Sequence, residues 1–285
     1  MVFCRCTSLP PSRSWVLLDE VSIPNTSHDT DARDKDEDPM ATVSIRRIAV
    51  ERHARYLSIS LNRPNRYNAI DSATLRGLVS HLDQAHREAV PLLLSGSAEL
   101  FSVGADINEL SCLNADQAAL YSQLGHRVVE ALEAWPGVTI ARLSGYALGA
   151  GLELALGCDV ITATPDVRIG LPGLAWALVP CMGGLRRMAC RASERFSSEL
   201  FLQGAVLGAR QCLREHLIDR IITDEGQITA LVQEMSEYDT AAVHAIRSLR
   251  LERQGKIDPL SGARMFSLPF ASGECQRRLK SLLAG

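Results

Sequence analysis

From Ile45 to Ala163 short apolar runs alternate with stretches of helical period, and no other feature limits the fold of this chain so tightly. Ile45 to Val50 and Tyr56 to Leu61 alternate as strands with a turn between them. Ser72 to Glu88 carries a helical period through Leu75, Leu78, Val79 and Leu82. Val90 to Ser95 and Val138 to Leu143 are short apolar runs suited to buried strands, with Ala115 to Trp135 helical between them. Gly149 to Cys158 reads as a helix and Val160 to Ala163 as a strand. An α/β class with a buried sheet follows. After Pro180 the pattern turns helical, over 183–191, 193–203, 208–215, 226–237, 239–252 and 260–271.

Residues 1–39 differ from this pattern. They hold Pro10-Pro11, scattered Ser and Thr, and a charged run from Asp29 to Asp38, so they bury too little apolar area to offset their ordering entropy. We expect a flexible extension over 1–39, a core over 40–195 and a helical region over 196–285, with Met40 a candidate start of the biological chain. The apolar run Trp15 to Leu18 is too short for a signal-peptide core or a membrane span. A net charge of −3 gives no footprint for nucleic acid, although Arg186, Arg187 and Arg191 form a local cluster able to meet a small phosphate. Eight cysteines without C-x-x-C spacing read as small apolar residues of a reducing cytoplasm rather than as disulfides or a zinc site.

Two glycine-containing stretches carry the chemistry. Phe101-Ser102-Val103-Gly104-Ala105-Asp106 follows a strand, and its glycine lets the backbone turn so that the next N–H faces a cleft. Gly145 to Glu153 follows the strand 138–143 and opens a helix, and small residues at 149–151 leave the first-turn N–H groups open to a ligand. Two such donors facing one oxygen form an oxyanion hole. The stretch is not a dinucleotide fingerprint, because Leu154 stands where G-x-G-x-x-G needs its last glycine.

Together, Leu61-Asn62-Arg63-Pro64-Asn65-Arg66-Tyr67-Asn68-Ala69, Phe101 to Asp106, Gly145 to Asp159, and Pro180 with Gly183-Gly184 resemble the enoyl-CoA hydratase/isomerase family, the crotonase superfamily, in content, order and spacing over roughly 42–285. Phe201 to Ile221 extends the likeness. The resemblance implies a ClpP/crotonase-type spiral of ββα units with an α-helical C-terminal trimerisation region, assembled as a homotrimer or dimer of trimers. It implies an acyl-CoA or acyl-carrier-protein thioester as substrate and no metal or redox cofactor, while the net charge and the short apolar run have already spoken against a nucleic-acid or membrane partner. It places the oxyanion donors on the N–H groups of Ala105 and Ala150, and CoA contacts at Asn65, Arg66, Ala69, Ala105, Asp106 and Ile107. The substrate pocket falls on Gly104, Gly149, Gly173, Trp176 and Cys181. Arg277, Arg278 and Lys280 are candidates for CoA contacts near the shortened C-terminus.

The acid/base pair departs from the family. Its first glutamate falls on Glu153, four residues past Gly149 and so about one helical turn from a bound carbonyl. Its second falls on Gly173, which has no side chain. Trp176, Cys181 and Met182 are expected to refill that space. Tyr121, His126, Tyr146, Asp106 and Cys181 lie near the cleft-forming segments, and a structural role is the expected one: His126 a satisfied helix histidine, Tyr146 a packed strand-end aromatic, Asp106 a turn or cap residue, Cys181 a small core filler. We therefore expect an enolate-stabilising enzyme with Glu153 as its single acid/base, hydrating, dehydrating or isomerising an enoyl thioester. The alternatives are a decarboxylase or hydrolase of the same superfamily, and a non-catalytic acyl-CoA-binding or scaffold subunit.

Overall fold

Strands form where short apolar runs meet turn residues: β1 (Ile48–Arg52), β2 (Leu57–Leu61), β3 (Leu92–Ser95), β4 (Thr139–Leu143), β5 (Tyr146–Leu148), β6 (Val160–Ala163), β7 (Arg168–Gly170), β8 (Val206–Gly208) and β9 (Arg220–Ile221) in a computed structural model of the chain. It describes residues 47–240 and, beyond them, 242–243, 245–247, 263, 266–267, 270–271 and 273–284. The expectations for residues 1–39, the start at Met40 and most of the helices over 239–252 and 260–271 lie outside the described residues.

A six-stranded sheet runs β1-β2-β3-β4-β6-β9, and a three-stranded sheet runs β5-β7-β8. In the larger sheet β1 is antiparallel to β2 and every other pair is parallel. Strand parity divides its two faces. Leu92, Leu94, Ala141 and Leu143 join the main core, while Leu93 and Ile140 point the other way into a small cluster with Ile222, Ile228, Leu231 and Val232. The helices are α1 (Ser72–Ala85), α2 (Ile107–Leu110), α3 (Ala115–Glu133), α4 (Ala150–Ala155), α5 (Gly184–Ala189), α6 (Glu194–Gln203), α7 (Ala209–Arg214), α8 (Glu225–Ser236) and α9 (Glu274–Ala284).

Caps fix where the long helices begin. Asp71 accepts from Thr74 N–H at the start of α1, and Asn114 and Gln117 form a reciprocal capping box at the start of α3. Helices α1 and α3 turn their leucine and valine stripes onto the main core. On the opposite face α8 buries Ile228, Leu231 and Val232. No helix among the described residues is long and apolar enough to cross a membrane.

The sequence pattern located most of the larger sheet and missed the smaller one. Strands β5, β7 and β8 have three residues each, too few for alternation to register, and β9 has two. The helix expected over Gly149 to Cys158 starts at Ala150 and ends at Ala155. Its last residues curl into a turn, with Gly157 N–H bonded to Leu154 O and Cys158 N–H to Ala155 O. The first expected strand is shifted, since β1 runs on to Arg52 before the turn in which His53 N–H bonds Tyr56 O.

The smaller sheet gives the fold its repeat. Each of β4 and β6 leads into a short strand of that sheet and then a helical turn: β4, β5, α4, then β6, β7 and the 3-10 turn Pro172–Trp176. The turn of the chain before these follows suit, because Ser102 bridges Ala147 in parallel, with Ser102 N–H on Tyr146 O and Leu148 N–H on Ser102 O. Successive coils of one spiral therefore present equivalent positions side by side.

Candidate active site

Three residues past the Ser102–Ala147 bridge, the two neighbouring segments reach Ala105 and Ala150. The parallel register makes these alanines the equivalent positions of adjacent coils. On its far side Ala105 bridges Ile70, but the bonds of that bridge run from Ile70 N–H to Gly104 O and from Asp106 N–H to Ile70 O, so the Ala105 N–H is left over. Ala150 is the first residue of α4, where an N–H has no acceptor within the helix. Among the described residues neither N–H has a protein acceptor. Glycine permits the close approach. Gly104 has φ +101° and Gly149 φ +49°, and a Cβ at Gly104 would stand 2.8 Å from Leu148 O and 3.4 Å from Ala150 N.

Ala105 and Ala150 both line a cavity of about 220 Å³. Its lining includes Gly104, Ala105, Ile107, Gly149, Ala150, Glu153, Gly173, Trp176 and Cys181, which the sequence placed in the site. The rest of its wall is apolar, with Leu110, Leu171, Leu178, Val179, Phe201 and Phe266 among its members. No local signal marks these residues, since they reach the site from stretches far apart along the chain. Trp176 and Cys181 line the same cavity as Gly173, but Met182 does not. Its side chain turns into the core, where a Cβ on Gly125 of α3 would meet it at 2.5 Å. Leu178 takes its place, standing 3.3 Å from where a Cβ on Gly173 would be.

Among the described residues Glu153 is the sole carboxylate on the cavity wall, and it is 1 % exposed. It lies one turn along α4 from Ala150, on the same helix face. Its Oε1 accepts the N–H groups of Met182 at 2.9 Å and Gly184 at 2.8 Å. Its Oε2 accepts the Cys181 N–H at 2.9 Å and the Cys181 thiol at 3.6 Å. Four donors thus fill the four acceptor positions of the carboxylate. Burial, and after it the Glu153 charge, push the Cys181 thiol well above its ordinary pKa, so it stays protonated and donates. Cys181 is a buried member of the main core, as expected, and in addition donates to the carboxylate.

The loop that supplies these donors is anchored from behind. Arg187, 3 % exposed, makes a bidentate pair with Glu133 at the end of α3 through Nε and Nη2, both at 2.8 Å, and its Nη1 donates to Met182 O at 2.7 Å. Arg191 is bonded to Asp219 and to the carbonyls of Cys158 and Asp159. The arginine cluster expected to meet a phosphate therefore holds the fold together. Arg187→Ala leaves Glu133, among the described residues, with Arg186 alone, at 3.4 Å, and takes the side-chain donor from the buried Met182 carbonyl, so an equilibrium denaturant titration is expected to show a loss of about 1–3 kcal/mol.

The other sequence-selected residues divide. Asp106 is nearly buried, caps α2 by accepting from Asn108 N–H, and pairs with Arg63 at 3.1 Å, the cap role expected of it. Arg66 and Asp106 line a second depression of about 230 Å³ with Arg63, Arg76 and Glu109, while Asn65 and Ala69 line neither space. Tyr121 is buried and donates to Ile70 O at 2.8 Å, and burial raises its pKa well above the usual tyrosine value. His126 Nδ1 lies 2.9 Å from Ser122 O, yet its buried Nε2 has no partner among the described residues, so it is only half satisfied. Neither lines the cavity, nor does Tyr146. Arg277, Arg278 and Lys280 are exposed on α9.

The chain matches the family model for enoyl-CoA hydratase/isomerase over residues 51–265. It is 31 % identical over 212 residues to the 2,3-dehydroadipyl-CoA hydratase of Escherichia coli (strain K12), covering 73 % of this chain and 82 % of that protein. It is 27 % identical to the short-chain-enoyl-CoA hydratase of Clostridium acetobutylicum, over 63 % of this chain and 70 % of that one. Among solved structures, Pseudomonas aeruginosa DspI is similar at a TM-score of 0.71 and 26 % identity, over 81 % of this chain and 95 % of that chain. The enoyl-CoA hydratase of Bacillus halodurans shares the fold at a TM-score of 0.74 and 20 % identity, over 82 % and 99 %. With a spiral of two sheets, two unclaimed N–H groups on one cavity and a family match over well more than half its length, this chain is an enzyme of the enoyl-CoA hydratase/isomerase family, the crotonase superfamily.

Proposed function

We propose that the chain binds an acyl-CoA thioester with its carbonyl oxygen between the N–H groups of Ala105 and Ala150, and that Glu153 moves the proton of a hydration, dehydration or double-bond shift. The observation that carries this reading is the pairing of two unclaimed N–H groups with a single carboxylate on one cavity. Polarising the thioester carbonyl acidifies Cα and makes Cβ electrophilic. Charge that builds on the oxygen in the transition state meets fixed donors that need no reorganisation. The apolar walls exclude water around the acyl chain and strengthen those interactions.

Within the carboxylate, Oε2 is the oxygen suited to proton transfer. Its thiol bond is the longest of the four contacts, and a thiol is a weaker donor than a peptide N–H, so that position is the easiest to give up. With Gly173 in place of a second carboxylate, one group serves both the water and the Cα proton in a syn addition.

A second reading, decarboxylation of a malonyl-type thioester, is favoured by the same occupied carboxylate. Loss of CO2 generates the enolate without a base, and the two N–H groups alone stabilise it. Crotonyl-CoA and malonyl-CoA, each followed by mass spectrometry, separate the readings. Gain of water on crotonyl-CoA, or shift of a 3-enoyl isomer to the conjugated one, is the expected result. Loss of CO2 from malonyl-CoA with crotonyl-CoA untouched would replace it by the second reading. Tight binding of both with no turnover would leave a binding subunit.

A further inference from the structure

Cys181 stands where none of the other described cysteines does. Cys112 and Cys190 are exposed, Cys158, Cys212 and Cys275 are buried, and none of these five lines the cavity. Cys181, itself only 3 % exposed, is on the cavity wall and its thiol donates to Glu153 Oε2, 3.6 Å away, and Ala105 and Ala150, whose N–H groups would hold a thioester carbonyl, line the same space. A nucleophile, a base in contact with it and a pair of oxyanion donors thus share one small chamber. We infer that Cys181 and Glu153 act as a thiol–carboxylate pair that adds reversibly across the double bond of an α,β-unsaturated acyl thioester, so that the site captures such substrates covalently. The inference rests on the acyl-thioester reading above.

The step balances within the site. The Sγ–H bond breaks toward Glu153 Oε2, and the sulfur pair forms the Sγ–Cβ bond. The Cα=Cβ pair moves to make the enolate, whose oxygen lies between the Ala105 and Ala150 N–H groups. The proton on Glu153 then passes to Cα as the carbonyl re-forms. The product is a saturated β-thioether that is still a thioester, and no outside oxidant or reductant takes part. Because burial and the neighbouring carboxylate keep the resting thiol protonated, Cys181 is slow toward an electrophile not held in the hole. The polarised carbonyl supplies the activation, so reaction is confined to conjugated thioesters.

The test incubates the full chain with crotonyl-CoA and, separately, with saturated butyryl-CoA, then maps tryptic peptides by mass spectrometry. Residues 169–186 form one tryptic peptide with Cys181 as its only cysteine. The expected result is a mass gain of one crotonyl-CoA, or of the acid left after its thioester hydrolyses, on that peptide. The gain is absent with butyryl-CoA and absent from Cys181→Ala and Cys181→Ser. Calorimetric binding of butyryl-CoA together with no adduct on 169–186 after incubation with crotonyl-CoA overturns the covalent capture and leaves the acyl-thioester reading standing. Equal modification of Cys112 and Cys190 overturns it as ordinary thiol alkylation. Absence of both adduct and butyryl-CoA binding overturns the two together. The wild-type map decides the matter even where a variant fails to fold.

Discussion

Glu153→Gln is expected to lower kcat on a conjugated acyl thioester by about 10²–10⁴-fold, the range lost with a general acid/base, and to destabilise the protein as well. A neutral amide cannot take a proton from Cα or from water at Oε2. The stability effect follows from the donors around it. Oε1 accepts from Met182 and Gly184, and Oε2 from Cys181. An amide offers one acceptor oxygen, so at least one of those buried N–H groups faces an NH2 and goes unpaired, at a cost of about 1–3 kcal/mol. Steady-state kinetics and a thermal melt read the two effects separately. A melt that falls while turnover stays within a few-fold would reduce Glu153 to a brace for the 181–184 loop. It would also favour decarboxylation, which needs no base.

Ala150→Pro is expected to cut kcat by about 10²–10³-fold, the loss typical of one oxyanion donor, while leaving the melting temperature close to that of the parent. The contrast comes from helix geometry. Ala150 is the first residue of α4, the position where proline is favoured because its missing N–H has no intrahelical partner. Gly149 before it carries no Cβ to clash with the ring. The substitution thus removes the donor and sets a ring carbon in its place with little strain on the fold. Ala150→Gly keeps the N–H and is the control, expected to turn over within a few-fold of the parent. Equal activity in the proline variant would mean that no oxyanion forms at that amide.

Some parts of the site could be seen in the chain and others could not, for identifiable reasons. Gly104, Ala105, Gly149, Ala150 and Glu153 are close in sequence to the strands and helix that position them, so glycine placement and helical spacing point to them. The donors that hold Glu153 come from the backbone of residues 181–184, about thirty positions on, and backbone N–H groups leave no mark in the residue types. Cys181 looked like a small apolar residue because nothing nearby in sequence carries charge. Only the return of the chain past α4 sets its thiol against a carboxylate. Arg187 and Arg191 looked like a phosphate site because their partners, Glu133 and Asp219, are remote in sequence.

The sequence by itself determined the α/β class, the order of the longer strands and helices, and the two glycine turns whose amides can face a ligand, because each rests on local periodicity or on a backbone angle that one residue sets. The tertiary structure alone decided that Ala105 and Ala150 become neighbours, through the parallel bridge of Ser102 to Ala147 between adjacent coils. It alone decided that Glu153 is enclosed by four donors and that Leu178, not Met182, fills the space beside Gly173. These are contacts between segments far apart along the chain, and their geometry is set by how the coils stack rather than by any residue's own preference.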